Sequence, residues 1–347
     1  MSGLRTLTVG CPSGLANRLR VLLSGLAWER PTGRRFRLLW PCNAPCSAAF
    51  HQLFAPIPSI SPASEDEVMK MPAVGSYLFT PMFDIAESRE DHLRFRSSGW
   101  LVPPKLSPAA GLVARLLPRA PAPFTPNHNT VLRGAAELFG QLQPQPRICE
   151  RVASFRASNF RTRMIGVHVR RGDFREQRPD ALADIDRIER AIRRYLDEMP
   201  DAGILVATDD GALNPYTAQP TPVESVLDRL KRTFGARVVW TNPRSLDRRD
   251  PLAVQDALAD LLLLRETDAF VGTADSSFSE LAVLGRRNPR VFCRSANPMR
   301  WFWRLTLIEP LVVAAGVIRF GRLAPFPVLV AHHRAELQRL LGRRSNG

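Results

Sequence analysis

The most regular pattern in the sequence lies between residues 147 and 295, where short apolar runs alternate with longer segments of helical periodicity. Such runs predict buried β-strands, and the longer segments predict amphipathic helices. The predicted strands are Met164–Val169, Gly203–Asp210, Ala236–Asn242, Asp268–Ala274 and Pro289–Ser295. The predicted helices are Arg147–Arg161, Ala183–Met199, Thr221–Phe234, Leu252–Thr267 and Ser277–Arg286. This order predicts a doubly wound α/β domain, whose ligands bind beyond the carboxyl ends of parallel strands.

A βαβ pattern opens the chain. Leu4–Gly10 predicts a strand, Cys11–Arg20 a turn that continues as a helix to about Arg30, and Phe36–Pro41 a second strand. The pattern then weakens, and Pro103–Pro126, rich in proline and alanine, predicts an irregular segment. Residues 1–20 lack the basic and apolar parts of a signal peptide, and no apolar run reaches the ~20 residues of a membrane-spanning helix. These features predict a cytoplasmic protein.

Length and charge narrow the class of protein. The chain has 347 residues, which predicts two domains at ~150 residues each. The net charge is +15, but of 48 basic residues only three are lysines, and the arginines are spread along the chain without a basic stripe that carries stacking aromatic residues. We therefore expect no nucleic-acid partner, although a positive field attracts anionic ligands. The five cysteines form no CxxC pair, so free thiols in a reducing compartment are expected.

The segment Ser13–Arg18, with the sequence SGLANR, follows the first predicted strand. A glycine turn that opens a helix presents backbone N–H groups, which suit a phosphate or a carboxylate. The segment is neither GxGxxG nor a P-loop. Taken alone, Ser13 and Asn17 are better explained as residues that cap and shape the start of the helix.

A second polar group begins with His168 near the end of the strand Met164–Val169 and continues past it. Alternation along a strand puts His168 and Arg170 on one face and Arg171 on the other. Asp173 follows, so one of the two arginines is expected to form a structural ion pair. A guanidinium at a ligand-binding strand end also matches the oxygens of a diphosphate.

Two further polar groups follow predicted strands. Asp209 and Asp210 suit sugar hydroxyls or a metal, and a turn or a helix cap explains them equally well. Ser276, Ser277 and Ser279 cluster at the start of a predicted helix, where capping explains one serine and an anion site explains three better. Asp256 and Asp260 share one face of the preceding helix, with an exposed acidic stripe as the alternative.

The ordered set of these segments resembles the fucosyltransferase superfamily, which includes α1,6-, α1,2- and protein O-fucosyltransferases. The matching strings are IGVHVRRGDF at Ile165–Phe174, ILVATDD at Ile204–Asp210, and the segment Asp256–Ala282 that ends in GTADSSFSELA. GCPSGLANRLR at Gly10–Arg20 is similar to the first glycine-rich loop of these enzymes. The chain is most similar to bacterial members such as the nodulation fucosyltransferases. The resemblance does not extend to residues 43–148.

The resemblance implies a GT-B-like α/β fold of two Rossmann-like domains that face a cleft. It also implies inverting transfer of fucose from GDP-fucose, without a metal or another cofactor. Arg170 would hold the β-phosphate, His168 and Asp260 would contact the nucleoside, and Ser276 and Ser277 would bind phosphate. Gly14, Asn17 and Asp210 would complete the donor site, Asp209 would join Arg170 as a catalytic residue, and Arg171 and Asp173 would take supporting positions.

An inverting transfer needs a base for the proton of the acceptor. Glu176, shortly after the arginine pair, is the candidate. Asp184 and Asp186 spell the DxD motif of metal-dependent transferases, but they lie at a predicted helix start, where capping is the better explanation. The alternatives are a catalytically silent protein that binds a GDP-sugar, and a transferase that uses another nucleotide sugar. The acceptor, whether a glycan, a lipid-linked sugar or a small molecule, stays open.

The predicted organisation has three parts. Residues 1–160 form an acceptor-side α/β domain that contains the irregular segment 103–126, and residues 161–298 form the Rossmann-like donor domain. Residues 299–347 form a basic and apolar tail. Trp301, Phe302 and Trp303 with flanking arginines suit peripheral contact of residues 299–330 with the inner face of the membrane. A tail that packs back on the core explains them equally well.

Overall fold

The computed structural model describes residues 4–73, 79–81, 90–102, 128–172, 184–210 and 225–293. The helices in these ranges are α1 Leu15–Thr32, α2 Glu65–Met69, α3 His128–Gln141, α4 Pro146–Asn159, α5 Ile185–Glu198, α6 Val226–Phe234, α7 Pro251–Arg265 and α8 Ser277–Val283. The strands are β1 Thr6–Gly10, β2 Arg35–Pro41, β3 Ile60–Ala63, β4 Phe79–Pro81, β5 His92–Arg96, β6 Trp100–Val102, β7 Met164–Val169, β8 Gly203–Thr208, β9 Val238–Trp240, β10 Ala269–Thr273 and β11 Arg290–Cys293.

The first half of the chain forms a parallel sheet with the strand order β3-β2-β1-β5. Helix α1 begins after Gly14, which has an extended backbone, and ends at Gly33, whose φ of +61° is in the left-handed region that favours glycine. The helix packs on β2, β6 and α3. Trp28 of this helix is fully buried, and its indole N–H donates to the carbonyl oxygen of Leu101 at 2.6 Å.

The second half forms a parallel sheet with the order β11-β10-β7-β8-β9. On one face, Ile165, Val167 and Val169 of β7 pack in a core with Ile188 and Ile192 of α5. The other face of the sheet carries α7, which contacts β7, β8, α4 and α8. Because successive residues of a strand alternate between faces, His168 lies on the side of α7 and α8.

These elements agree with the alternation of strands and helices predicted for residues 147–295. The strands β8, β9 and β10 end one or two residues earlier than predicted, and three residues of 3-10 helix, Gly235–Arg237, precede β9. The weak pattern after Pro41 concealed the short strands β3, β5 and β6, which pair with strands distant in sequence, and also the helix α3. The irregular segment 103–126 lies outside the described residues. The proposed domain boundaries stay a prediction.

Two further expectations concern cysteines and membranes. All five cysteines are free thiols, and Cys11, Cys46 and Cys293 are buried. Within the described ranges, the structure contains no helix with the length and apolar character needed to cross a membrane. The tail 299–347 lies outside these ranges.

Candidate active site

A cavity of about 580 Å³ lies where segments that follow strands of both sheets come together. From the first sheet it is lined by Pro12–Asn17, after β1, and by Pro45, after β2. From the second sheet it is lined by residues at the ends of β7, β8 and β10 and in the loop after β9. In both sheets the chain order reverses beside the central strand, between β1 and β5 and between β7 and β10. Doubly wound sheets bind their ligands at such points, and the volume is in the usual range for a ligand site.

Arg170 and Asp209 form an ion pair on the wall of this cavity. The other oxygen of Asp209, Oδ1, accepts hydrogen bonds from the backbone N–H groups of Arg171 at 2.7 Å and Gly172 at 3.0 Å. Burial would raise the pKa of Asp209, but Arg170, these two N–H groups and Arg248 together lower it below its ordinary value. Asp209 is therefore a carboxylate at neutral pH, and it fixes the direction of the Arg170 guanidinium.

His168 lies beside Arg170 and is buried. Its ring stacks on Phe278 with a centroid distance of 4.7 Å, and its Nδ1 is 2.7 Å from the hydroxyl of Ser279. Burial lowers the pKa of His168 to about 4; the Asp209 carboxylate opposes this shift and the Arg170 guanidinium adds to it. His168 is therefore a neutral imidazole at neutral pH.

Asp260 lies on α7 and faces the cavity. Its Oδ1 accepts a hydrogen bond from the Thr241 hydroxyl at 2.5 Å. Burial raises the pKa of Asp260 to about 7, since the hydrogen bond from Thr241 offsets only part of the cost of desolvation, and the charge of Asp256 adds to the shift. With this pKa, Asp260 changes between its protonated and ionised forms near neutral pH.

Asp256, one turn before Asp260, does not line the cavity. It is 1% exposed, and Arg244 holds it through the backbone N–H, Nε and Nη2 at 2.7–3.1 Å. Arg151 of α4 adds a contact at 3.3 Å. The alternative of an exposed acidic stripe is wrong, because both carboxylates are buried between α7 and its neighbours.

The serine cluster and the first glycine loop meet at the cavity. Ser276 and Ser277 line it at the start of α8, and Gly14 and Asn17 line it at the start of α1. The amide oxygen of Asn17 accepts a hydrogen bond from Arg20 at 2.6 Å.

A buried arginine fixes the starts of these two helices relative to each other. Arg20 donates to Glu280 of α8 at 2.8 Å, and Trp100 donates to the same carboxylate oxygen at 2.9 Å. Arg20 is fully buried, whereas the Glu280 side chain is 32% exposed. The pair joins the helix that follows β1 to the helix that follows β10.

Arg171 and Asp210 do not line the cavity. Arg171 lies 3.7 Å from Asp210, and Asp210 accepts a hydrogen bond at 3.0 Å from the backbone N–H of Val226, the first residue of α6. The position of Arg171 agrees with the alternation of faces along β7. The position of Asp210 gives no support to a contact with the donor, because its carboxylate accepts a hydrogen bond from the first backbone N–H group of α6.

Glu176 and Asp173 lie outside the described residues. Asp184 accepts a hydrogen bond from the backbone N–H of Asp186 at 3.0 Å as the cap of α5, which confirms capping as the explanation of the DxD string. Asp186 also pairs with Arg229 of α6.

The loop after β9 was missed by the sequence interpretation. Pro243, Ser245, Leu246 and Arg248 line the cavity, and the Arg248 carbonyl oxygen accepts a hydrogen bond from the backbone N–H of Ser47 at 3.1 Å. The available signal was the position of this loop after a predicted parallel strand, because all such loops meet at one edge of the sheet.

Comparisons with known proteins identify the fold. No protein-family model and no curated protein matches the chain. A crystal structure of NodZ alpha-1,6-fucosyltransferase soaked with GDP-fucose matches with a TM-score of 0.50 and 18% identity, over 82% of this chain and 93% of that chain. A structure of fucosyltransferase NodZ from Bradyrhizobium matches with a TM-score of 0.48 and 17% identity, over 82% and 94%. A structure of POFUT1 in complex with GDP-fucose matches with a TM-score of 0.46 and 13% identity, over 84% and 98%.

The first match shows that this chain has the fold of a fucosyltransferase of the GT-B class. The expected α/β, GT-B-like architecture is confirmed, and so is the resemblance to fucosyltransferases at the level of the fold. A shared fold leaves the reaction to be argued from the site.

Proposed function

We propose that this protein is a glycosyltransferase that moves fucose from GDP-fucose to a hydroxyl group of an acceptor, with inversion at the anomeric carbon. The observation that carries the proposal is the Arg170–Asp209 pair on the wall of a cavity formed by the strand ends of both sheets. The donor is suggested by the fold shared with NodZ, whose crystals were soaked with GDP-fucose.

The positive charge of the site suits the leaving group. When the bond between the anomeric carbon and the β-phosphate oxygen breaks, negative charge grows on GDP. Arg170, Arg248 and the ionised Asp209 carry a net positive charge together, and Asp209 holds Arg170 in one direction. Such a preorganised cation stabilises a developing negative charge without reorganising during the reaction.

The part of the cavity that is lined by α7 suits a purine nucleoside. Val254 and Ala257 of α7 and Pro243 offer apolar surface beside the Asp260 carboxylate. A carboxylate can accept hydrogen bonds from the N1–H and the amino group of guanine together, whereas uracil offers a single N–H donor between two acceptors. We therefore assign Asp260 to guanine and His168 to the nucleoside diphosphate beside it.

The base that accepts the proton of the acceptor hydroxyl is assigned to Glu176. Asp209 suits this role poorly, because its lowered pKa and its contacts with Arg170, Arg171 and Gly172 favour the unprotonated form. A general base works best when its pKa lies near the working pH. Asp209 is better explained as the residue that orients Arg170.

Charge stabilisation by guanidinium groups leaves no step that requires a metal ion, and we propose that the transfer is metal-independent. The carboxylates of the DxD string already cap α5 and pair with Arg229. Within the ranges that the structure describes, no group of three His, Cys, Asp or Glu side chains is arranged to hold a metal ion.

The reaction is tested by measuring GDP release and sugar transfer with GDP-fucose, GDP-mannose, UDP-glucose and ADP-glucose. We expect GDP release with GDP-fucose, slow hydrolysis without acceptor, and faster release with an acceptor. Glu176→Gln should bind GDP-fucose with unchanged affinity and lose turnover. Tight binding without any turnover would instead support a silent GDP-sugar-binding protein, and preference for another nucleotide sugar would reassign the donor.

The partners proposed here are GDP-fucose, an acceptor with a free hydroxyl group and, through residues 299–330, the surface of the inner membrane. Sedimentation with anionic liposomes at low salt tests the membrane contact. Removal of residues 299–347 should abolish sedimentation without changing the affinity for GDP. If the full chain stays in the supernatant, the membrane contact is wrong. No affinity for DNA is expected at physiological salt.

A further inference from the structure

The hydroxyl of Ser279 has a single hydrogen-bond partner among the described residues, and that partner is the ring of His168. The hydroxyl oxygen lies 2.7 Å from Nδ1, and the Ser279 side chain is fully buried in the first turn of α8. The other ring nitrogen, Nε2, has no partner within the described part of the chain. Because His168 lines the cavity, Nε2 is the polar ring atom that a bound ligand can meet.

The residues around His168 and Ser279 leave space for the contact between these two side chains. Gly272 of β10 lies opposite His168 of β7 in the sheet. A Cβ atom at Gly272 would lie 2.9 Å from the Ser279 oxygen and 2.4 Å from the Phe270 ring, so only glycine leaves room for the hydroxyl. Phe278 stacks on the imidazole and fixes the plane of the ring.

The position of the hydroxyl proton decides which ring nitrogen carries hydrogen. If Ser279 accepted a hydrogen bond from Nδ1–H, its own proton would be buried without an acceptor among the described residues, which is unfavourable. If Ser279 donates to Nδ1, the proton is satisfied and only acceptor lone pairs are unused. We propose that Ser279 is a positioning residue that donates to Nδ1 and so holds His168 as the Nε2–H tautomer, with this N–H directed to a ligand in the cavity.

The consequence concerns the class of ligand atom that His168 can meet. An Nε2–H group donates to an acceptor such as a phosphate oxygen, whereas the opposite tautomer would present a lone pair and repel it. The lowered pKa of His168 keeps the ring neutral, so its tautomer and not its charge sets this preference. This part of the inference rests on the proposed binding of a nucleoside diphosphate.

The tautomer itself is tested on the ligand-free protein. Selective ¹⁵N labelling of the six histidines gives separate signals for the two ring nitrogens, and His168→Ala identifies the His168 signals by their loss. We expect a neutral ring with hydrogen on Nε2 from pH 5.5 to 8. Hydrogen on Nδ1, or an even mixture of the two forms, would overturn the proposal.

A double-mutant cycle tests whether Ser279 acts through His168. Ser279→Ala should weaken GDP binding about tenfold, because the ring loses both its orientation and its tautomer. In a His168→Ala background the same substitution should leave GDP affinity unchanged, since the group it positions is gone. An equal loss in both backgrounds would show a general structural role and overturn the proposal.

Ser24→Ala is the matched control. Ser24 is also a fully buried helical serine, and its hydroxyl donates to the Arg20 carbonyl oxygen at 2.6 Å. We expect a lower Tm and an unchanged affinity for GDP. If wild-type protein binds no GDP, the proposed function fails, and the ¹⁵N spectra still decide whether Ser279 sets the tautomer of His168.

Discussion

Arg170 and Asp209 form an ion pair across the carboxyl ends of β7 and β8, and the second oxygen of the carboxylate accepts two backbone N–H groups from the loop after β7. The carboxylate that holds the guanidinium is thus itself fixed by the backbone of the loop after β7. Arg171, the next residue, contacts Asp210 behind the cavity. Two adjacent arginines therefore have different environments.

We predict that Arg170→Lys lowers the catalytic rate constant about a hundredfold, as expected when a preorganised donor is removed from a developing charge. Lysine keeps the positive charge but loses the planar fork, so GDP affinity should fall less than the rate. The measurement is kcat and KM for GDP-fucose together with the Kd for GDP.

Arg171→Lys is the control for this prediction. It should lower the Tm slightly and leave turnover unchanged, because its guanidinium does not line the cavity. Normal turnover in Arg170→Lys together with a loss in Arg171→Lys would show that the roles are reversed. Full activity in both variants would make the pair structural.

Donor affinity should rise with pH through the pKa of Asp260, which is about 7. Only the ionised carboxylate can accept both guanine donors, and the ionised fraction rises about tenfold between pH 6 and pH 8, so the apparent affinity should rise by a similar factor. The affinity should be measured with GDP-fucose, because its diphosphate does not titrate in this pH range. In Asp260→Asn the pH dependence should disappear; an unchanged slope in this variant would remove the guanine assignment.

The ligand-free protein should show the opposite trend in stability. The folded state holds a proton on Asp260 between its ordinary pKa of 3.8 and about 7, where the unfolded chain has released it. The free energy of unfolding therefore decreases as pH rises through this window. The Tm of the wild-type protein should decrease between pH 5 and pH 8. The Tm of Asp260→Asn should lack the part of this decrease that comes from Asp260.

Turnover should survive chelation. The positive charge that faces the leaving group comes from Arg170 and Arg248 in the proposed mechanism, so EDTA should leave the rate of GDP release unchanged. The assay compares untreated enzyme with enzyme dialysed against EDTA and then supplied with Mg²⁺ or Mn²⁺. Loss of activity that a metal restores would contradict the mechanism.

The position of the loop after β9 and the stability of the protein should depend on Asp256. Asp256→Ala removes the group that binds Arg244 and contacts Arg151. We expect a loss of about 2 kcal/mol in stability, the usual size for hydrogen bonds to a charged group, and weaker GDP binding as the loop wall shifts. Asp247→Ala in the same loop breaks an ion pair with Arg249 that is more exposed and should cost less than about 1 kcal/mol. Equal effects of the two variants would show that the burial of Asp256 does not matter.

The sequence by itself determined the features that depend on the spacing of apolar and polar residues within one strand or helix. The alternation of side chains along β7, continued past Val169, separates Arg170 from Arg171 because successive side chains of an extended segment point to opposite faces. Apolar runs of four to eight residues with helices between them define a parallel sheet, and its edge is the expected ligand site. The resemblance in the ordered strings added the fold class, which the comparison with NodZ confirms.

Only the tertiary structure decided which distant residues meet. Asp256 and Asp260 are buried because α7 is covered by α4 and α8 as well as by the sheet, and a helix covered on several sides shows no exposed face in its sequence pattern. Arg248 reaches the cavity through a loop whose backbone contacts Ser47 of the first half. The contact between His168 and Ser279 spans 111 residues, and it exists because β10 pairs with β7 and Gly272 leaves the space for it. Such contacts depend on strand order, which no local period encodes.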